Sequence, residues 1–255
     1  MLTQQRKRHI LDVLRREGRI VAKDLSADLA LSEDTIRRDL RELAREGLLQ
    51  RVHGGALPAS PAVQGLGARR EVFPAEKQAI GRAAAAMIRA GQVVFLDGGT
   101  TAIQLARSLD LGLAATIVTH SPAVAAELAG HAAEVVLVGG RLFKHSMVAV
   151  GSAAVAAIGR IRADAYFMGV TGVHPEAGLS TGDFEEASVK RALMAAAAET
   201  VVLASPEKLG AASPYVVAAA ADMAALITTD TVPAENLEPY VRLGVSVVRV
   251  AVAAG

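Results

Sequence analysis

Four arginines share one face of a predicted helix that spans residues 32–45; they are Arg37, Arg38, Arg41 and Arg45. At about 100° per residue, the apolar side chains of Ile36, Leu40 and Leu43 fall on the opposite side. A helix fits the major groove of B-DNA, and guanidinium groups bind both phosphates and the paired acceptors of guanine. The alternative is a solvated amphipathic helix whose arginines pair with neighbouring acids, namely Asp34, Asp39 and Glu42.

The layout around this helix favours the DNA-binding interpretation. Hydrophobic spacing predicts helices over residues 3–17 and 22–29, and Ser32 can cap the third helix, which Gly47 ends. Two short strands at 48–52 and 54–57 follow, and the hairpin that they form contains Arg51 and His53. Two helices, an arginine-rich helix and a glycine-bounded hairpin predict a winged helix-turn-helix, whose hairpin can touch phosphate or the minor groove.

A second candidate site follows the predicted strand Val93–Leu96, in the segment Asp97-Gly98-Gly99-Thr100-Thr101. Glycines let a backbone approach an anion closely, and the N–H groups of the turn and of the next helix can bind it. Because no Lys follows the glycines and G-x-G-x-x-G spacing is missing, nucleotide chemistry is disfavoured. The alternative is an ordinary turn between a strand and a helix.

Polar residues also follow the other predicted strands, and in open parallel sheets such loops converge on one crevice. The segments are Thr119-His120-Ser121, Gly139-Gly140-Arg141, 169–172 and 205–208. The stretch 178–191 adds the acids Asp183, Glu185 and Glu186, for which stabilisation of a helix N-terminus is the alternative. We expect Lys190 and Arg191 at the surface, and Lys208 is the better cation candidate.

Alternating apolar runs and helical stretches predict a mainly parallel α/β sheet. The runs are 93–96, 115–118, 135–138, 165–170, 201–204, 225–227 and 245–250, after a helix over 74–89. Ser and Pro at 59–64 indicate a linker. We therefore expect a winged helix-turn-helix domain at 1–57, a linker at 58–73 and an α/β sensor domain at 74–255.

Composition excludes several function classes. The 255 residues contain no Cys, which excludes disulfides, thiolate zinc sites and thiol catalysis, and the six His residues show no metal-ligand spacing. We expect no metal or cofactor. Without a signal peptide or an apolar run of about 20 residues, a cytoplasmic protein is expected. Residues 1–57 carry 12 Lys and Arg against 9 Asp and Glu, the remainder 15 against 17, so the basic segment suits a polyanion.

The strings Thr35–Leu40 and Arg51–Ala56 resemble the signature of the DeoR family of bacterial regulators, and the similarity covers nearly the whole chain. The resemblance implies operator contacts from one set of residues: Ser32, Thr35, Arg37, Arg38, Arg41, Arg51 and His53. It also implies a homodimer or homotetramer, and repression of carbohydrate genes that the ligand relieves.

Strings in the second half are similar to the family's sensor domain, which is related in fold to ribose-5-phosphate isomerase. They are Asp97–Thr101, Val138–Gly140, Gly178–Thr181, Glu185–Ala187 and Lys208–Gly210. The implied effector is a phosphorylated sugar, held by Asp97–Thr101 with Lys208, Glu186, His120, Gly139 and Gly140 nearby. The family usually has Asn at His120 and Asp at Ser205, so the effector's identity does not follow.

Two other functions compete with an effector-controlled regulator. A sugar-phosphate isomerase would need a carboxylate base and an electrophile, for which Asp97, Glu186 and Lys208 are available. A turnover assay with ribose 5-phosphate distinguishes it. A ligand-independent DNA-binding protein would use the second half only for assembly, and its operator affinity would not respond to phosphorylated sugars.

Overall fold

The structure, a computed structural model, describes residues 2–60 and 65–252. Its helices are α1 Thr3–Glu17, α2 Ala22–Asp28, α3 Glu33–Arg45, α4 Leu66–Arg69, α5 Pro74–Ala85, α6 Thr100–Ser108, α7 Pro122–Glu127, α8 Ser152–Ile158, α9 Phe184–Ala196 and α10 Ala234–Arg242. Its strands are β1 Ile20–Val21, β2 Leu49–Val52, β3 Gly55–Pro58, β4 Val93–Leu96, β5 Thr116–Thr119, β6 Glu134–Leu137, β7 Arg141–Phe143, β8 Val148–Val150, β9 Ala163–Gly169, β10 Gly172–His174, β11 Gly178–Thr181, β12 Ala197–Leu203, β13 Tyr215–Ala218, β14 Ala225–Thr229 and β15 Ser246–Val250.

The first unit packs α1, α2 and α3 over a small antiparallel sheet of order β1-β3-β2. Apolar residues from all three helices form its core, with Ile10, Ile36 and Leu40 among those almost fully buried. The predicted helices and hairpin are confirmed within a residue or two. Sequence patterning missed the two-residue strand β1, which lies so close to β3 that a Cβ on Gly55 would lie 1.7 Å from the carbonyl oxygen of Ile20.

The second unit is a seven-stranded parallel sheet of order β15-β14-β12-β9-β4-β5-β6 with helices on both faces. Successive residues of β4 alternate between the two cores: Phe95 packs with α8, α9 and α10, whereas Val94 and Leu96 pack with α5, α6 and α7. Burial on both faces explains the continuous apolar runs in the sequence. The α/β class and the parallel sheet are confirmed.

Three details of the predicted second unit were wrong. The run 135–138 was expected to be buried, but β6 is an edge strand, and Leu137 is 50% exposed. The helix expected over 74–89 ends at Ala85. Two small sheets, β7-β8 and β10-β11-β13, were not anticipated because their strands are short and irregular in hydrophobic pattern.

The predicted linker is partly structured. Of the span 58–73, residues 61–64 lie outside the described residues, but Leu66–Arg69 forms α4 and Leu66 joins the sheet core. Ser60 donates a hydrogen bond to the carbonyl of Thr171, and the amide of Ala212 donates to the carbonyl of Pro58 at 3.2 Å. The first unit is therefore joined to the second by hydrogen bonds as well as by the chain.

Candidate nucleic-acid interface and anion pocket

Helix α3 is fixed from behind by a buried ion pair. Arg6 of α1 makes a two-point contact with Asp39 of α3, and both side chains are buried. Lys7 reaches Glu42 at 3.1 Å on the same side. These contacts occupy two of the acids that could have neutralised the outward arginines. The alternative of a self-paired amphipathic helix therefore applies only to Arg37, which pairs with Glu33 of the same helix.

The outward face of α3 presents exposed guanidinium groups. Arg38, Arg41 and Arg45 are exposed and make no ion pair with any residue that the structure describes, whereas Arg37 pairs with Glu33 at 2.6 Å. Ser32 caps the helix by accepting a hydrogen bond from the amide of Thr35 at 3.3 Å. The predicted reading face is thus free to meet a polyanion.

The hairpin residues Arg51 and His53 are exposed as well, but they line a cleft between the hairpin and the second unit. The cleft measures about 520 Å³ and is bordered on the far side by His174, Glu176 and the segment 212–214. Arg19 spans it with an exposed contact to Glu176 at 3.3 Å.

The second site lies where the strand order of the large sheet reverses. From β4 the chain continues outward through β5 and β6 on one side, then returns to build β9, β12, β14 and β15 on the other. The carboxyl ends of β4 and β9 therefore flank a crevice, the usual ligand position in such sheets. A narrow pocket occupies this place, with about 30 Å³ accessible to water, room for only a few water molecules.

The anion-binding features of this pocket come from several elements. Gly98 and Gly99 lead into the N-terminus of α6, and Gly99 has φ 103°, a conformation that favours glycine. Thr101 is almost fully buried in the lining, and its hydroxyl has no hydrogen-bond partner among the described residues. Free helix N–H groups and an unpartnered hydroxyl suit an anionic ligand.

Cations outnumber acids around the pocket. The charged lining residues are Arg69, Lys77, Lys190 and Lys208, together with Glu186 and Glu207, and Glu186 lies 3.6 Å from the ammonium of Lys190. Burial lowers the pKa of Lys208 to about 8; nearby Glu207 opposes this shift, whereas the positive charges of Lys77, Arg69 and Lys190 add to it. Burial also lowers the pKa of Arg69 and of Lys77. Crowded, partly desolvated cations of this kind are stabilised by an incoming anion.

Asp97 lies beneath the pocket rather than in its lining. Its carboxylate accepts hydrogen bonds from the amides of Gly98 at 2.8 Å and Gly169 at 2.7 Å, and from the ammonium of Lys190. Burial alone would raise the pKa of Asp97, but the charge and hydrogen bond of Lys190 hold it below its usual range. Asp97 therefore ties the ends of β4 and β9 to α9 and shapes the pocket from below.

The structure brings together six of the ten predicted pocket residues; Gly98, Gly99, Thr100, Thr101, Glu186 and Lys208 all line it. Asp97 and His120 lie outside the lining, fully buried, with their side chains 3.5 Å apart. Gly139 and Gly140 are exposed after the edge strand β6 and also lie outside the lining. They were predicted there because they follow the apolar run 135–138 and because the resemblance implied it, but that run forms the edge strand of the sheet.

Lys190, Lys77 and Arg69 were missed. Lys190 was expected at the surface, where Arg191 does lie, but Lys190 is only 2% exposed. The signal was present: Glu186, Val189, Lys190 and Leu193 form one helical stripe, which places Lys190 on the buried face. Asp183 caps α9 by accepting from the amide of Glu186 at 2.9 Å, so the alternative of a helix-terminal role holds for that acid.

His120 gives the fold a predictable acid sensitivity. Burial lowers the pKa of His120 to about 4. The charge of nearby Asp97 opposes this shift, and the charge of Lys190 adds to it. The unfolded chain takes up this proton near pH 6.5, so the free energy of unfolding falls as pH drops from about 6.5 to 4, by up to about 3 kcal/mol. We expect His120→Asn to flatten that slope in denaturant titrations at several pH values.

His53→Asn, which removes an exposed imidazole, is the matched control and is expected to retain the wild-type slope. A His120→Asn curve parallel to the wild-type curve across this pH range would contradict the assignment.

No helix in residues 2–60 and 65–252 is both long and apolar enough to cross a membrane. Within the same ranges, no cluster of three or more metal-ligating side chains occurs.

Comparison with known proteins agrees with this geometry. Residues 6–61 match the DeoR-like helix-turn-helix domain, and residues 73–230 match the DeoR C terminal sensor domain. The chain is 38% identical to the HTH-type transcriptional regulator GlpR of Haloferax volcanii, over 97% of this chain and 98% of that one. It is 31% identical to the glycerol-3-phosphate regulon repressor of Escherichia coli K12, over 82% and 84% of the two chains.

An arginine-faced helix on a winged helix-turn-helix, joined to an α/β sensor domain, defines a DNA-binding transcriptional regulator. The chain belongs to the DeoR family. Because the relatives are named as regulators and repressors, the isomerase alternative is set aside. Ribose 5-phosphate isomerase A of Methanocaldococcus jannaschii aligns with 52% of each chain at 18% identity and a TM-score of 0.38, too distant to support an argument.

Proposed function

We propose that this regulator represses carbohydrate genes and releases its operator when a phosphorylated sugar or polyol enters the pocket beside Gly98–Thr101. The observation that carries the proposal is the pocket itself: a helix N-terminus and four cationic side chains face one narrow space at the switch point of the sheet. Glycerol 3-phosphate is a natural first candidate, since one relative is named for it.

On the DNA side, we assign contacts to the seven residues named from the sequence: Ser32, Thr35, Arg37, Arg38, Arg41, Arg51 and His53. The exposed arginines of α3 support major-groove reading, and the exposed hairpin supports phosphate contacts by Arg51 and His53. The protein binds as a homodimer or homotetramer, because two reading helices are needed for paired half-sites.

The test is a calorimetric titration of the full chain with phosphorylated three-, five- and six-carbon sugars and polyols. The unphosphorylated compounds and inorganic phosphate serve as controls. A phosphorylated compound is expected to bind at least about tenfold more tightly than its unphosphorylated form, and to weaken the complex with an operator selected in vitro. Binding without any change in operator affinity would favour a ligand-independent DNA-binding protein.

The lowered pKa of Lys208 gives this binding a pH signature. Its ammonium loses its proton near pH 8, whereas a sugar phosphate is already a dianion above about pH 7. Effector affinity is therefore expected to fall about tenfold between pH 7 and 9.5, measured by calorimetry. Lys208→Met should bind weakly at every pH, without this dependence.

Lys144→Met removes an exposed lysine and serves as the control, with the wild-type profile expected. If the affinity of the wild-type protein stayed constant up to pH 9.5, Lys208 would have no part in holding the phosphate.

A further inference from the structure

Arg69 belongs to neither matched domain, yet it lines the pocket. It lies between the helix-turn-helix match that ends at 61 and the sensor match that begins at 73. Its guanidinium makes one long contact, to the hydroxyl of Ser146 at 3.4 Å, and its Nε is buried without a partner among the described residues. A buried guanidinium N–H that lacks an acceptor is costly, and an anion in the pocket would supply one.

Arg69 is carried by a segment, residues 66–73, that forms one wall of the pocket and that we call the cover. Arg69 and Val72 of the cover line the cavity. The cover is attached to the second unit through the amide of Leu66, which donates to the carbonyl of His145 at 2.9 Å. Because only about 30 Å³ of the cavity is accessible to water, a sugar phosphate held fully inside it requires part of the lining to move.

Lys77 makes the cover sensitive to an anion. Its ammonium donates to the carbonyls of Arg69, at 2.6 Å, and of Val72, and it also lines the pocket. A phosphate dianion is a stronger acceptor than a backbone carbonyl, so it would compete for the same N–H groups. Occupation of the pocket would thus weaken the bonds that hold the cover down.

We propose that Arg69 is a coupling residue: it binds the anionic group of the effector, and its movement displaces the cover and transmits occupancy to the DNA-binding domain. The cover is suited to this because it lies on the chain directly between the two units. The inference rests on the proposed function, since it requires an anionic effector in this pocket. Beyond the proposed function, Arg69 lies outside the residues that match the sensor domain, and the effect of ligand binding passes from the pocket through the cover to the DNA-binding domain.

The test compares the full-length chain with Arg69→Gln and with the control Arg70→Gln, an exposed neighbour on the same segment. Each protein is titrated with the phosphorylated compounds that bind the wild type, and its operator affinity is measured without and with saturating ligand. Arg69→Gln is expected to bind ligand at least tenfold more weakly, and its ratio of the two operator affinities should fall towards one. Arg70→Gln should match the wild type.

Hydrogen exchange adds a direct readout. Ligand is expected to speed amide exchange in 66–73 of the wild type and of Arg70→Gln, but not of Arg69→Gln. If the melting curve shows that Arg69→Gln does not fold, Arg69→Lys replaces it. Lysine retains the positive charge but lacks the forked donors of arginine, so the expected losses of ligand affinity and of coupling are smaller than for Arg69→Gln.

The outcomes separate the two proposals. If Arg69→Gln binds ligand and releases operator like the wild type, the coupling role of Arg69 is overturned but the proposed function is not. Arg69→Gln with weaker binding but an unchanged affinity ratio at saturation would also overturn it, because Arg69 would then bind without transmitting. A wild-type protein that binds no phosphorylated compound would overturn the proposed function, and the coupling role with it.

Discussion

Arg38→Ala is expected to weaken operator binding about 10- to 100-fold while leaving the melting temperature unchanged. Arg38 is exposed on α3 and makes no ion pair among the described residues, so its removal breaks nothing in the folded chain. In the complex with DNA, the loss of this side chain would leave a guanine or a phosphate without its hydrogen-bond donor. The measurement is a gel-retardation titration at a stated salt concentration, on an operator selected in vitro by the wild-type protein.

Arg160→Ala is the matched control, because it removes one exposed arginine from the second unit and changes the net charge equally. Its affinity should lie within about twofold of the wild type. Equal losses in the two variants would mean that Arg38 acts only through overall charge. An unchanged affinity for Arg38→Ala at moderate salt would contradict the placement of α3 in the groove.

Lys190→Met is expected to lower the free energy of unfolding of the sensor domain by about 3–5 kcal/mol. The ammonium of Lys190 is the main countercharge of Asp97, and it also donates to the carbonyl of Gly169 at 2.8 Å. Its removal leaves the Asp97 carboxylate in the interior without its main countercharge, since His120 is neutral at pH 7, and only the amides of Gly98 and Gly169 still donate to it. Denaturant titration followed by circular dichroism measures the change.

A second substitution tests that cause. Asp97→Asn in the Lys190→Met background removes the uncompensated charge and should recover a large part of the loss. Arg191→Met, on the exposed side of the same helix, should change stability by less than about 1 kcal/mol. If the double variant were no more stable than Lys190→Met, packing rather than charge would explain the effect.

Local signals predicted the reading helix and the strand-to-helix loop from the sequence. The stripe of Ile36, Leu40 and Leu43 fixes which side of α3 is buried, so the arginines must face outward. The glycines before Thr100 mark the place where the backbone turns at the end of a buried strand. Both features depend on residues within one or two turns of each other, and sequence patterns report these well.

Features that depend on distant packing were not predictable in the same way. Pro and Ser near residue 60 indicated a linker, and nothing local showed that Arg69 would fold back over β4 and β9. Asp97 looked like a phosphate ligand because it precedes the glycines. Only the position of β9 and α9 shows that its carboxylate is already occupied by Gly169 and Lys190.

Ser60, which follows the hairpin of β2 and β3, donates a hydrogen bond to the carbonyl of Thr171, and Thr171 lines the pocket. Binding free energies are reciprocal. Whatever factor an effector imposes on operator affinity, operator must impose on effector affinity. For an effector that weakens operator binding, as proposed, a promoter-bound molecule is a poorer metabolite sensor than a free one, and the effector concentration that half-saturates the protein rises with the fraction of the protein bound to DNA.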